Sequence, residues 1–195
     1  MRSEPGAPAI GAGGAAPDEM AQRLLRMVAS RPATLGPGRL LCLDGPAGSG
    51  KTTVAAAIAD QASDAVVVHT DDLLEGWRGL PRLAETVRAL LAPLAEDRAS
   101  TWHRWDWHAS RWAEEHAVFP GGLLVLEGVG SWSPGIAGWV GALGWIEAPY
   151  DERKRRGLER DGDDFAPYWE QWAADEAAVF ARDRTREHAD VVGAT

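Results

Sequence analysis

Leu40-Leu41-Cys42-Leu43-Asp44-Gly45-Pro46-Ala47-Gly48-Ser49-Gly50-Lys51-Thr52-Thr53 is the stretch that sets the architecture. Its first four residues are apolar without alternation and too few for a helix, the pattern of a strand buried on both faces of a parallel sheet. Residues 45–52 satisfy G-x-x-x-x-G-K-[ST] without a mismatch. The Ala-rich run Thr52–Gln61 then reads as a helix. Strand, glycine loop and helix in this order make a phosphate-binding loop. Glycines let the backbone curl until successive N–H groups converge on an anion, and the helix contributes its positive N-terminal end. Lys51 supplies a compact mobile charge that Arg, with its broad fork, would fit poorly. The Thr52 hydroxyl is a ligand type for Mg²⁺. Gly45, Pro46, Ala47, Gly48, Ser49, Gly50, Lys51, Thr52 and Thr53 are therefore the candidate nucleotide-binding residues, with Lys51 also a catalytic candidate.

Outward from the loop, Val66–Val68, Leu123–Leu126 and Leu143–Ile146 repeat the short unbroken apolar run, and Val191-Val192 offers a fifth strand. Helical spacing predicts helices over Asp18–Ala29, Pro81–Ala95, Asp151–Arg160 and Asp164–Thr185. Alternating strands and helices imply an α/β doubly wound domain, a P-loop NTPase fold with a parallel five-stranded sheet flanked by helices. In the last predicted helix Phe165, Trp169, Trp172, Val179 and Phe180 form a core-facing stripe. Residues 1–17, rich in Gly, Pro and Ala, read as a loose tail ahead of one domain over 18–195.

The chain has 195 residues and a net charge of −9, which excludes a surface built to coat nucleic acid or an anionic membrane. A single cysteine, Cys42, excludes an internal disulfide and implies a reducing cytoplasm. No apolar run approaches the ~18 residues of a membrane span, and the N-terminus lacks the apolar core of a signal peptide. Of 20 basic residues only Lys51 and Lys154 are Lys. The phosphate loop accounts for the first; the second has no role legible in the sequence.

Ligands of open parallel sheets bind beyond the carboxyl ends of the strands. There the second strand runs into His69-Thr70-Asp71-Asp72 and the third into Glu127-Gly128. An Asp in this place suits removal of a proton from a hydroxyl acceptor, or else caps the following turn. Glu127 is placed to direct a carboxylate at Mg²⁺ or a water in its shell. Asp44 either helps hold the loop or the metal's water shell, or caps the turn.

These elements resemble the P-loop small-molecule kinases of the uridine kinase, pantothenate kinase and phosphoribulokinase group. The resemblance covers about residues 39–192. It puts Thr70-Asp71-Asp72-Leu73 on the segment after the second strand, with Asp71 as catalytic base, and Leu126-Glu127-Gly128-Val129 on the metal-directed Glu-Gly segment. Trp105-Asp106-Trp107, with His108 and Arg111 after it, is similar to the aromatic–Asp–aromatic segment that helps those enzymes hold a nucleoside. The resemblance thus implies an acceptor-binding insert over about 96–120. Asp72, Trp77, Arg104, Asp106, His108 and Arg111 are its candidate contacts. If the segment is extended, Arg104, Asp106 and His108 share one face and Trp105 and Trp107 the other; the competing reading is an aromatic core with solvated charges. His103, Asp106 and His108 match no zinc-site spacing. The His-Pro-Asp stretch with which uridine kinases grip the ribose is missing, for the region reads Glu75-Gly76-Trp77-Arg78-Gly79-Leu80-Pro81.

Arg153, Lys154, Arg155, Arg156 and Arg160 crowd the start of the fourth helix, and with Glu159 give a local charge of +4. Arg153, Arg156 and Arg160 share a helical face. The resemblance makes 151–163 a lid whose guanidinium groups clamp a transferring phosphoryl group, with Gly157 as a hinge. Together these features imply an enzyme using ATP and Mg²⁺ to phosphorylate a hydroxyl of a small molecule, a nucleoside first. The alternatives are a nucleoside monophosphate, an antibiotic or a sugar as acceptor, or a nucleotide-dependent switch. Oligomeric state is not legible.

Overall fold

The computed structural model describes residues 17–195, apart from the side chains of Asp161, Asp163 and Asp164; of the tail expected over 1–17, all but Pro17 lies outside the described residues. Helix α1 (Pro17–Ser30) opens with Pro17 and places Asp18 and Glu19 in its first turn, an arrangement that fits both the fixed proline φ and the helix dipole. It leads into β1 (Arg39–Asp44), α2 (Lys51–Gln61) and β2 (Ala65–His69). Then follow α3 (Leu83–Ala95), a hairpin of β3 (Ser100–Asp106) and β4 (Arg111–Val118), β5 (Leu123–Glu127) and β6 (Val140–Glu147). Helices α4 (Tyr150–Phe165), α5 (Trp169–Asp183) and α6 (Thr185–His188) precede the last strand, β7 (Val191–Ala194).

The main sheet has the order β2-β5-β1-β6-β7, and every pairing is parallel. Successive side chains of a strand point to opposite faces. In β1, Leu40 and Cys42 therefore enter one core layer with α3 and α5, while Leu41 and Leu43 enter the other with α1 and α2. Both layers are apolar, so β1 reads as an unbroken apolar run. The same holds for β5, all five of whose residues are buried. The second strand departs from that expectation. It lies at the sheet edge, where only one neighbour covers it, and Val66 is 46% exposed.

Two helices also differ from the sequence reading. Pro81 sits in a short 3₁₀ turn, Leu80–Arg82, and α3 starts behind it. Phe165 ends α4 instead of opening the last helix, because the chain breaks between Phe165 and Trp169. The stripe itself is core: Phe165, Trp169, Trp172 and Val179 are buried. Gly157 is not the weak point of α4. A Cβ there would lie 2.7 Å from the Trp169 ring, so Gly157 permits close helix packing, and the helical geometry breaks at Gly162 (φ 59°, ψ −139°).

Parallel register places His69 and Leu43 on either side of Glu127, and Asp44 beside Trp145. The acidic ends of β1 and β5 and the end of β2 thus share one edge of the sheet, directly below the glycine loop.

Candidate active site

Two glycines of the loop from Gly45 to Gly50 sit where contacts leave no room for a side chain. Gly48 has φ +75°, and a Cβ there would lie 2.4 Å from the Arg153 carbonyl oxygen. A Cβ on Gly45 would lie 2.0 Å from the Ile146 carbonyl oxygen. Gly50 ends the loop in the left-handed region, and α2 begins at Lys51 without a side-chain cap, so its first N–H groups are available to an anion. Lys51 is buried and donates to the Pro46 carbonyl at 3.0 Å. Thr52 and Thr53 are exposed on the first turn of α2.

The loop is also gripped by side chains of α4 and α5. The Ala47 N–H donates to Glu176 Oε2 at 2.8 Å, while Arg153 Nη1 donates to the Ala47 carbonyl at 3.1 Å and to Glu176 Oε1 at 2.8 Å. A buried ion pair from α4 and α5 therefore holds both polar groups of one loop residue. Burial raises the Glu176 carboxyl, and the Ala47 N–H and the Arg153 charge oppose that rise. In this structure Arg153, expected in the lid, is buried and its Nη1 is engaged by Glu176 and Ala47, so its charge is paired inside the protein.

Asp44 resolves in favour of holding loops together. Fully buried, it accepts from the N–H groups of Gly45, Gly130 and Trp132 at 2.8, 2.9 and 3.0 Å, joining the phosphate loop to the segment after β5. Desolvation pushes its pKa up to about 7, against those hydrogen bonds and the nearby Lys51 charge.

Glu127 ends β5 with its two oxygens assigned differently. Oε1 accepts from the Thr52 hydroxyl at 3.3 Å, and Oε2 meets His69 Nδ1 at 2.7 Å. Burial would raise this carboxyl, but the His69 hydrogen bond and the Lys51 charge hold it below its ordinary value. An ionised carboxylate beside a hydroxyl at the start of the loop helix is a set of hard oxygen donors, which fits Mg²⁺. His69, whose own pKa the Glu127 contact raises, is the site member that sequence reading missed. A His at the end of an apolar run signalled nothing by itself, and only the parallel register sets it against Glu127.

Asp71 stands in a 3₁₀ turn directly after β2 (Thr70–Leu73). Its side chain reaches water. Burial and the Glu127 charge raise its carboxyl, against Lys51, Arg160 and His69. The charges of Lys51, Glu127, His69 and Arg160 thus all bear on the Asp71 carboxyl. Asp72 turns toward the hairpin, where burial raises its carboxyl against His69 and Arg104.

The hairpin answers the acceptor candidates one by one. Arg104 pairs with Glu114 across the strands at 2.6 Å, holding that carboxyl down at about 2. Asp106 accepts from the Ala109 N–H at 2.9 Å and so closes the hairpin turn; His108 lies in that turn and also acts on Asp106. Arg111 is exposed and pairs with Asp106 through the strand register. The expected alternation of faces fails because the register shifts between His103 and Trp105 and the strand stops at Asp106. Trp105 is buried beside Trp112, whereas Trp107 turns back and donates to the Asp71 carbonyl at 3.3 Å. Trp77 lies in an aromatic cluster with Trp107 at 4.6 Å, Phe165 at 4.8 Å and Tyr168 at 5.1 Å between ring centres. It thus links the hairpin tip to the end of α4. An open groove of about 510 Å³ runs between α3 and the hairpin, lined by Leu73, Thr86, Leu90, Trp102, His103 and Trp112. None of the acceptor candidates and no phosphate-loop residue lines it.

The other lid residues divide. Arg156 reaches the loop, donating to the Thr195 hydroxyl at 2.7 Å, and that hydroxyl donates to the Ser49 carbonyl at 3.0 Å. The Arg160 charge lowers the Asp71 carboxyl. Arg155 is held by Glu152 and Glu159, and Glu152 also takes Arg156. The +4 charge of the segment is therefore largely paired. Lys154 gains a structural place, for it pairs with Glu170 at 2.6 Å and ties α4 to α5.

The sequence matches no protein-family model and no curated protein. Solved structures do match. A possible uridine kinase from Bacillus stearothermophilus superposes with a TM-score of 0.61 at 17% identity, over 89% of this chain and 97% of that one. A candidate fructose transport system kinase from Silicibacter sp. TM1040 gives a TM-score of 0.53 at 23% identity, over 92% of this chain and 99% of its own. The architecture, a parallel five-stranded sheet with its phosphate loop after the central strand, is thus the fold of the uridine kinase-like P-loop kinases.

Proposed function

We propose that this chain is a Mg²⁺- and ATP-dependent phosphotransferase that moves the γ-phosphoryl group to a hydroxyl of a small molecule. The observation that carries the reading is that the loop with Lys51, the Thr52–Glu127 contact and the turn that holds Asp71 lie together at the carboxyl end of the parallel sheet. A binding module needs the loop, but it does not need an Asp whose environment raises its proton affinity beside that loop. The amides of residues 45–52 and Lys51 hold the β- and γ-phosphates, while Thr52 and Glu127 hold Mg²⁺. When bound, the ion neutralises charge on the phosphate oxygens. Asp71 accepts the proton of the acceptor hydroxyl as its oxygen bonds to the γ-phosphorus and the bond to the leaving ADP oxygen breaks. Arg160 and Arg156, from the face of α4 nearest the loop, counter the negative charge spread over the transferring group.

A nucleoside is the first acceptor to test, and the reducing cytoplasm is the compartment we assign. A sugar is the second, suggested by the candidate fructose transport system kinase among the similar structures. The test is ADP release with Mg²⁺ and ATP against nucleosides, nucleoside monophosphates, sugars and vitamin precursors. Acceptor-dependent release supports the reading, and the preferred acceptor names the class. Slow hydrolysis indifferent to every acceptor would overturn it in favour of a nucleotide-dependent switch.

A further inference from the structure

We propose that His69 is a positioning residue of the metal site, pinning one oxygen of Glu127 so that the other is presented beside the Thr52 hydroxyl. This rests on the reading above that Thr52 and Glu127 hold Mg²⁺. Three observations support it. First, the parallel register of β2 and β5 sets His69 directly against Glu127. Side chains at paired positions of neighbouring strands leave the sheet on the same side, so the contact follows from the strand pairing and needs no loop to adopt a special form.

Second, the two contacts divide the carboxylate cleanly. Nδ1 of His69 lies 2.7 Å from Oε2, and the Thr52 hydroxyl lies 3.3 Å from Oε1. An ionised carboxylate only accepts, so Nδ1 carries the proton and donates. The terminal torsion of a Glu side chain is broad, and a carboxylate with both oxygens free would turn. With Oε2 held by a charge-assisted bond, Oε1 stays toward the first turn of α2.

Third, the two side chains differ in exposure. Glu127 is 5% exposed and His69 is 43% exposed. A ring that open contributes little to the core, so its fixed contact with Glu127 is the best account of its place. Partners of this kind behind a metal ligand typically set metal affinity by about 10–100-fold when removed.

The experiment measures binding of a non-hydrolysable ATP analogue, with Mg²⁺ and with EDTA, to the wild-type chain and to His69→Ala, His69→Asn and His69→Gln. Asn places its amide nitrogen where Nδ1 stands; Gln sets it one bond further out. Wild type binds more tightly with Mg²⁺. His69→Ala loses about 10–100-fold of that enhancement with its affinity in EDTA unchanged. Asn restores most of the enhancement and Gln little. A full Mg²⁺ enhancement in His69→Ala, or Asn no better than Gln, would overturn the inference. Equal losses with Mg²⁺ and with EDTA would also overturn it, since a purely structural role predicts them. Should His69→Ala fail to fold, the contrast between Asn and Gln reads the same quantity. If wild type itself shows no Mg²⁺ enhancement, the metal reading of Thr52 and Glu127 fails, and this inference with it; that outcome is distinct because it appears without any substitution.

Discussion

The phosphate loop and the Trp-rich hairpin are both dense in polar groups at the same end of the sheet, but they dispose of them in opposite ways. At the loop the first N–H groups of α2 are left without a side-chain cap, and the surrounding side chains hold the loop in its shape. Asp44 ties it to the segment after β5, and Arg153 with Glu176 clamps Ala47. In the hairpin the charged groups bond to one another. Arg104 takes Glu114, and Asp106 closes its own turn. One region keeps its chemistry available for a ligand, and the other uses its chemistry to hold its own shape.

That contrast can be broken at its strongest point first. Lys51→Ala removes the only side-chain cation inside the loop helix's first turn, and transfer should fall by about 10³-fold or more. ADP release and nucleotide affinity, measured together, check it. Near-normal turnover would mean that the loop is not where the phosphate is held. Asp71→Asn follows, with turnover lower by about 10²-fold or more and nucleotide affinity nearly unchanged. Equal losses in both would make Asp71 a binding or folding group instead of the base.

The loop was legible because its signal is local. Glycine spacing, one lysine in an Arg-rich chain and an apolar run before it all report on a single turn of backbone. The strands were legible for a related reason, since burial on both faces writes itself as an unbroken run, as in β1 and β5. Edge position is not written that way, so β2 looked the same as its covered neighbours. Arg153 and His69 were illegible because their meaning lies in partners 23 and 58 residues away. A basic run reads as a lid until the fold shows which of its guanidinium groups face inward.

The clamp on the loop gives the third test. Arg153→Met keeps much of the side chain's bulk but leaves the buried Glu176 carboxylate without its cation, a change that typically costs about 3–5 kcal/mol. Denaturant unfolding measures the loss. A nucleotide titration above the new stability limit asks whether the loop has also loosened, as the two bonds to Ala47 require. A loss below about 1 kcal/mol would show that the loop holds its shape from its own glycines and Asp44, with α4 and α5 only resting on it.

The smallest expected effect is the most informative about the hairpin. Asp106→Ala removes the acceptor for the Ala109 N–H, and the loss of one exposed hydrogen bond should lower stability by a small amount. If the carboxylate serves the turn alone, stability drops by that amount and the KM for whichever acceptor supports ADP release stays within about twofold, well under the 1.4 kcal/mol that a tenfold change represents. Arg104→Gln should behave likewise, because its partner Glu114 is half-exposed and water replaces the pair at little cost. A tenfold rise in KM in either variant, with stability unchanged, would show that the acceptor displaces these internal pairs when it binds. The hairpin would then belong with the loop as a binding surface, closed in the free protein by bonds that the acceptor exchanges for its own.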